Sequence, residues 1–171
     1  MNILFTRSKQ ENDKLHQRIT KNHINCYQLD LIKYFNLDFD FKEIENYDDI
    51  ILSSKYTAEL FSQNNSLKNK NFWVVGFQSR KILLEKGFLN IKSFENVKSL
   101  FKKIKSKIKS RTIYLSGDNY ILAPLKTIKH KILYKAKYRK MLTKNQLTIL
   151  KEIIFNKILF YSINSAKSFF F

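Results

Sequence analysis

Ile50-Ile51-Leu52-Ser53-Ser54-Lys55-Tyr56-Thr57-Ala58-Glu59-Leu60-Phe61 reads as a short buried strand that stops at a serine pair and opens directly into a helix. The same unit returns as Ile158-Leu159-Phe160-Tyr161-Ser162-Ile163-Asn164-Ser165-Ala166-Lys167-Ser168-Phe169. Aligning Ser54 with Ser162 places Thr57 on Ser165, Ala58 on Ala166 and Phe61 on Phe169. A repeated strand–serine–helix unit implies two similar α/β halves. By type and position both serines are helix N-caps. A capped helix start with free backbone N–H groups is also a place where an anion can dock.

Outward from that unit the chain alternates strands and helices. Asn2 to Thr6 is a brief apolar strand, and Ser8 with Glu11 forms a capping-box pattern that starts a helix. A second strand runs from Ile24 to Tyr34, and the mixed polarity of Leu31 to Phe41 suggests an extended connector. After the unit at Ile50, Phe72 to Gly76 is the next buried strand. A helix from Ser79 follows and ends at Gly87, then a short strand from Leu89 to Ile91. Val97, Leu100, Phe101, Ile104 and Ile108 sit at helical spacing within about 95–108. Thr112 to Leu115 reads as a strand ending at Ser116-Gly117-Asp118, with a helix expected over 120–129 and a strand from Lys131 to Tyr134. Thr143 with Gln146 is a second capping box, opening a helix to about Phe155. The pattern predicts an α/β protein of parallel sheets covered by helices, with ligands at the C-terminal ends of the strands.

Composition narrows the classes. A hydrophobic fraction of 44% with 15% aromatics supports packed cores and excludes a disordered chain. With 3 Gly and 1 Pro, turns must come from Asn, Asp and Ser. The net charge of +18 is concentrated in residues 92–144, which hold 16 basic and 2 acidic side chains. Such a band attracts polyanions, although a solvated lysine-rich face has the same composition. The single cysteine, Cys26, fits a reducing compartment and leaves no internal disulfide. His16, His23 and His130 lack metal-ligand spacing, and no apolar run is long enough for a membrane span. A soluble cytoplasmic monomer is the expectation.

There is no Walker loop, no G-x-G-x-x-G, no G-x-S-x-G elbow and no H-E-x-x-H. The hydroxyl residues at strand ends are more specific, and their order resembles the uroporphyrinogen-III synthases of tetrapyrrole biosynthesis. Leu4-Phe5-Thr6-Arg7 looks like that family's opening strand, and Ile51-Leu52-Ser53-Ser54 resembles its "I-F-T-S" strand. Val74-Val75-Gly76 with Ser79 resembles "V-G-x-x-T", and Tyr114-Leu115-Ser116-Gly117-Asp118 its "R-G" strand. Leu133-Tyr134 looks like the family's "V-Y", and Leu159-Phe160-Tyr161-Ser162 its second "F-x-S".

The resemblance implies two α/β domains joined by a two-stranded ladder. Domain one would be 1–34 with 143–171, the ladder 35–42 with 135–142, and domain two 43–134. It implies conversion of the linear tetrapyrrole hydroxymethylbilane into cyclic uroporphyrinogen III, with inversion of ring D, loss of water and no cofactor. Tyr134 matches the tyrosine thought to assist departure of the hydroxyl. Arg7, Ser53, Ser54, Gly76, Phe77, Gln78, Ser79, Gly117 and Ser162 carry over as residues of an interdomain cleft that takes the substrate's carboxylates. The partner would be that polycarboxylate, with no membrane and no specific nucleic acid.

One departure bears on activity. Gly76 follows Ser54 by 22 residues, and the corresponding place after Ser162 lies beyond Phe171. Domain one is therefore expected to be incomplete at its C-terminus, with weak or absent turnover and poor solubility unless another chain completes it. The rival readings are a basic nucleic-acid-binding α/β protein using residues 92–144, and a non-catalytic remnant.

Overall fold

The structure is a computed structural model that describes residues 1–7, 17, 19, 23–104, 111–123, 126–139, 141–161 and 163–170. The Ser8–Glu11 capping box and Ser162 lie outside the described residues. The chain divides into two compact units, one of Met1–Phe35 with Ala136–Phe171 and the other Asn36–Lys135.

The first unit carries a three-stranded sheet. β1 (Asn2–Phe5) lies between β2 (Asn25–Gln28) and β9 (Lys157–Leu159), and both pairings are parallel. Leu4, Leu29 and Leu31 are fully buried there, packed by Leu150, Phe155 and Phe169 among others. α5 (Lys144–Glu152) starts at Thr143, whose hydroxyl accepts from Gln146 N–H while the Gln146 side chain accepts from Thr143 N–H. α6 (Ile163–Phe170) supplies Phe169 to the core and leaves Phe170 exposed.

The six-stranded sheet has the order β3-β8-β7-β4-β5-β6, formed by β3 (Ile32–Asn36), β8 (Lys129–Tyr138), β7 (Thr112–Gly117), β4 (Asp49–Leu52), β5 (Asn71–Val75) and β6 (Ile91–Phe94). The pairs from β8 to β6 are parallel. β3 runs against β8: Leu37 N–H bonds Leu133 O, and Arg139 N–H bonds Leu31 O. Every residue of β4 and β7 is buried, as expected for central strands of a sheet covered on both faces. One face packs on α4 (Val97–Ile104), where Leu100, Phe101 and Ile104 meet Ile51, Trp73 and Tyr114 while Lys102 and Lys103 stay exposed. The Phe101 ring stands edge-on to Tyr114 at 5.3 Å. At the start of β4, Asp49 accepts the Trp73 indole N–H at 2.8 Å, so neither buried polar group is left without a partner.

Three expectations need correction. Among the described residues of 120–129 there is no helix: residues 121–123 follow no regular structure and β8 already begins at Lys129. Pro124 is the sequence reason, because the residue before a proline is steered away from helical backbone. The strand expected at Leu89 to Ile91 lies two residues later, at Ile91–Phe94, with Leu89 exposed. The connector after Leu37 also holds a short helix, α1 (Phe41–Glu45), capped by Asp40 and anchored by buried Ile44. No helix of the described residues is long and apolar enough to cross a membrane.

Candidate functional site

The unit formed by Asn36–Lys135 brings hydroxyl groups together where β4 and β7 end and β8 passes beside them. β4 stops at Leu52, Ser53 N–H reaches Leu115 O at 3.4 Å, and α2 (Lys55–Phe61) begins behind Ser54. Ser54 is extended, with φ −145°, and its hydroxyl accepts from Thr57 N–H at 3.1 Å. The Thr57 hydroxyl donates to Ser54 O at 2.7 Å and accepts from Ser54 N–H at 3.3 Å, closing a reciprocal cap.

Tyr134 comes to the same place from β8. Its hydroxyl donates to Ser54 Oγ at 3.1 Å, and its ring meets Tyr56 edge-on at 4.7 Å. The ring lies directly over Gly117, where an added Cβ would sit 2.5 Å from Tyr134 Cζ and 2.8 Å from its hydroxyl oxygen. Position 117 therefore has room only for glycine while Tyr134 holds this pose. Tyr56 donates to Asn36 Oδ1 at 2.7 Å; burial raises its pKa above the ordinary tyrosine value, with the Asn36 bond acting the other way and Glu59 adding to the rise.

The remaining expected residues are placed as follows. Gly76 caps α3 (Phe77–Glu85) with φ +86°, a conformation that side chains rarely adopt, and its N–H bonds Phe94 O. Ser79 is buried and donates to Val75 O at 2.6 Å, so its hydroxyl is engaged within the helix start. Phe77 and Gln78 are both exposed. In the other unit the Arg7 guanidinium stacks on the Tyr161 ring at 4.4 Å. Ser54, Gly117 and Tyr134 thus meet in one constellation, with Ser53 next to it in sequence, whereas Ser79 is tied to its own turn.

Sequence reasoning missed two neighbours. Ser116 is fully buried, its hydroxyl 2.8 Å from Gly117 O and 2.8 Å from His130 Nε2. The His130 ring stacks on Tyr114 at 4.7 Å and meets Tyr120 at 4.2 Å, and burial lowers its pKa below the ordinary histidine value. Tyr114 is also buried, which raises its pKa against the opposing influence of Ser53, Ser116 and the Ile121 backbone; no well-formed hydrogen bond reaches its hydroxyl among the described residues. The signal was the pairing of two parallel strands, which puts Tyr114 opposite His130, and it is invisible until the sheet order is known. Among the described residues no three His, Cys, Asp or Glu side chains group to hold a metal ion. Chemically, the constellation offers a phenolic proton aimed at a hydroxyl that can pass it on.

The fold built on these strands is found in a solved structure. A uroporphyrinogen-III synthetase from Helicobacter pylori 26695 matches with a TM-score of 0.60 and 17% identity, covering 99% of this chain and 76% of that one. A Thermus thermophilus uroporphyrinogen III synthase covers the same shares, with a TM-score of 0.43 and 11% identity. The protein has the mixed α/β fold, parallel sheets flanked by helices, of the Helicobacter enzyme. A Rickettsia prowazekii (strain Madrid E) protein described as uncharacterized is 34% identical over 139 residues, 80% of this chain and 49% of its own. The chain thus spans about half the length of that curated relative. No family model matches the chain.

Proposed function

We propose that the protein acts as a uroporphyrinogen-III synthase, closing hydroxymethylbilane to uroporphyrinogen III with inversion of ring D and loss of water. The observation that carries this reading is the Tyr134 hydroxyl, set over Gly117 and bonded to Ser54 Oγ at 3.1 Å. The reaction begins when a pyrrole nitrogen pushes its lone pair toward the hydroxymethyl carbon and the C–O bond breaks. The departing oxygen needs a proton to leave as water, and a positioned phenol supplies one. The substituted carbon of ring D, which bears the bridge methylene and no hydrogen, attacks the resulting exocyclic methylene carbon to give a spirocycle. Its bond to the bridge methylene then breaks, ring D's free α carbon bonds to that methylene instead, and the proton this α carbon loses restores Tyr134, so the cycle needs no external acid. Selection of the correct carbon is orientation work, which a rigid site performs by holding the flexible substrate in one fold.

The substrate's eight carboxylates suit a protein of net charge +18. Lys92 stands on β6, Lys98 on α4, and Lys129, Lys131 and Lys135 on β8, the strand that carries Tyr134, and Lys131 also pairs with Glu43. The test is to supply enzymatically generated hydroxymethylbilane and resolve the products by chromatography. Slow formation of type III product above the spontaneous type I background is expected. Type I alone, at the rate seen without protein, overturns the reading.

A further inference from the structure

We propose that His130 is a positioning residue for Tyr134, acting through Ser116 and an irregularity in the β7–β8 ladder. The inference rests on Tyr134 being the proton donor, as read above. In the regular part of the ladder Tyr114 opposes His130, Leu115 opposes Lys131 and Ser116 opposes Ile132. One step further on β7, Gly117 opposes Tyr134, so Leu133 is an extra residue on β8. This matters because side chains alternate between the faces of a sheet. Tyr134 would ordinarily share a face with Ile132 and His130. The extra residue transfers it to the other face, where a Cβ of Gly117 would stand and where Ser54 receives its hydroxyl.

The polar groups at this bulge converge on holding it. The Ser116 hydroxyl has one proton, and Gly117 O lies 2.8 Å away in a geometry that accepts it. His130 Nε2, also at 2.8 Å, then has to be the N–H that donates to Ser116 Oγ. The lowered pKa of His130 agrees with a neutral ring. Beyond the bulge, Asp118 N–H bonds Tyr134 O at 3.0 Å and Leu37 N–H bonds Leu133 O at 2.8 Å, pinning both residues of the irregular step on β8. Without the His130 donor, the Ser116 hydroxyl can turn away from Gly117 O. The bulge can then relax, and Tyr134 loses its aim before the sheet loses its core.

The test compares His130→Phe, which keeps a ring against Tyr114 and Tyr120 but has no donor, with His130→Gln, whose amide N–H can take the place of Nε2. In turnover of hydroxymethylbilane, His130→Phe is expected to lower kcat about 10-fold or more with KM within about 2-fold, and His130→Gln to recover most of it. A second readout does not depend on turnover: fluorotyrosine placed at position 134 and followed by ¹⁹F NMR. Its resonance should shift or broaden in His130→Phe and stay at the wild-type position in His130→Gln. An unchanged resonance in His130→Phe overturns the inference, as does equal displacement in both variants. If Tyr134→Phe retains full turnover, the catalytic reading of Tyr134 fails, while the NMR comparison still decides whether His130 positions the ring.

Discussion

At the scale of single residues, Tyr134 and Gly117 make the sharpest predictions. Tyr134→Phe removes only the hydroxyl, and kcat for type III formation should fall roughly 100-fold, the lower end of what a positioned acid contributes. Gly117→Ala does its damage differently. The atoms its Cβ would strike are the far end of the Tyr134 ring, so the ring moves rather than the strand. Activity should fall to the level of Tyr134→Phe, with a stability loss of about 1–3 kcal/mol in urea unfolding, the usual cost of overpacking. His130 carries a pH prediction. Its folded pKa lies below its unfolded value, so the unfolded chain takes up a proton first as pH falls. The stability linked to its neutral form is complete above about pH 6.5 and is lost as pH drops from there toward the folded value. Urea midpoints from pH 7.5 to 5 should therefore fall more steeply for the wild type than for His130→Phe.

Elements show how far the sequence could be read. The strand–serine–helix at Ile50–Phe61 was legible because three local signals agree there: an apolar run, a serine stop and the Ser54–Thr57 cap. β7 was legible as a strand, but its last two residues were not, since Ser116 and Gly117 look like turn chemistry in isolation. α1 was missed because five residues give no period to recognise, and its cap Asp40 hides in a run of aromatics and acids. The meeting of Tyr134 with Gly117 was beyond local reading, because strict alternation predicts the wrong face and only the ladder reveals the extra Leu133. Gly76→Ala has open space around its Cβ, the nearest atom being Ser79 Oγ at 4.0 Å. Its cost is conformational, about 1–3 kcal/mol for a side chain held at φ +86°, and calorimetry should record it without a packing defect. Phe101→Ala empties the α4 contact with Tyr114 and should cost about 3–5 kcal/mol in the same measurement.

At the scale of the whole molecule, charge and core size dominate. A net charge of +18 on 171 residues pushes the folded chain apart, and salt screens that repulsion. The melting temperature should rise by a few degrees between about 0.05 and 0.5 M sodium chloride, the shift expected for roughly 1 kcal/mol in a domain of this size. A protein stabilised by surface ion pairs would show the reverse. The two units also differ in what they bury. Asn36–Lys135 holds five parallel strands and the aromatic cluster around Tyr114, whereas the other unit rests on three short strands and a core of Leu4, Leu29 and Leu31. Hydrogen exchange should accordingly be slowest in β4 and β7 and faster in β1 and β9.

The contact between Gly117 and Tyr134 also predicts how substitutions at the two positions depend on each other. Each constrains the other, since the ring keeps this pose only above a residue with no side chain. In a pairwise saturation library selected for folding, alanine or serine at 117 should survive chiefly beside a small residue at 134. Tyrosine at 134 should be recovered most often beside glycine and less often beside alanine. Among natural variants, loss of the tyrosine would free position 117 to drift, so a glycine kept there marks a lineage that still needs the phenol.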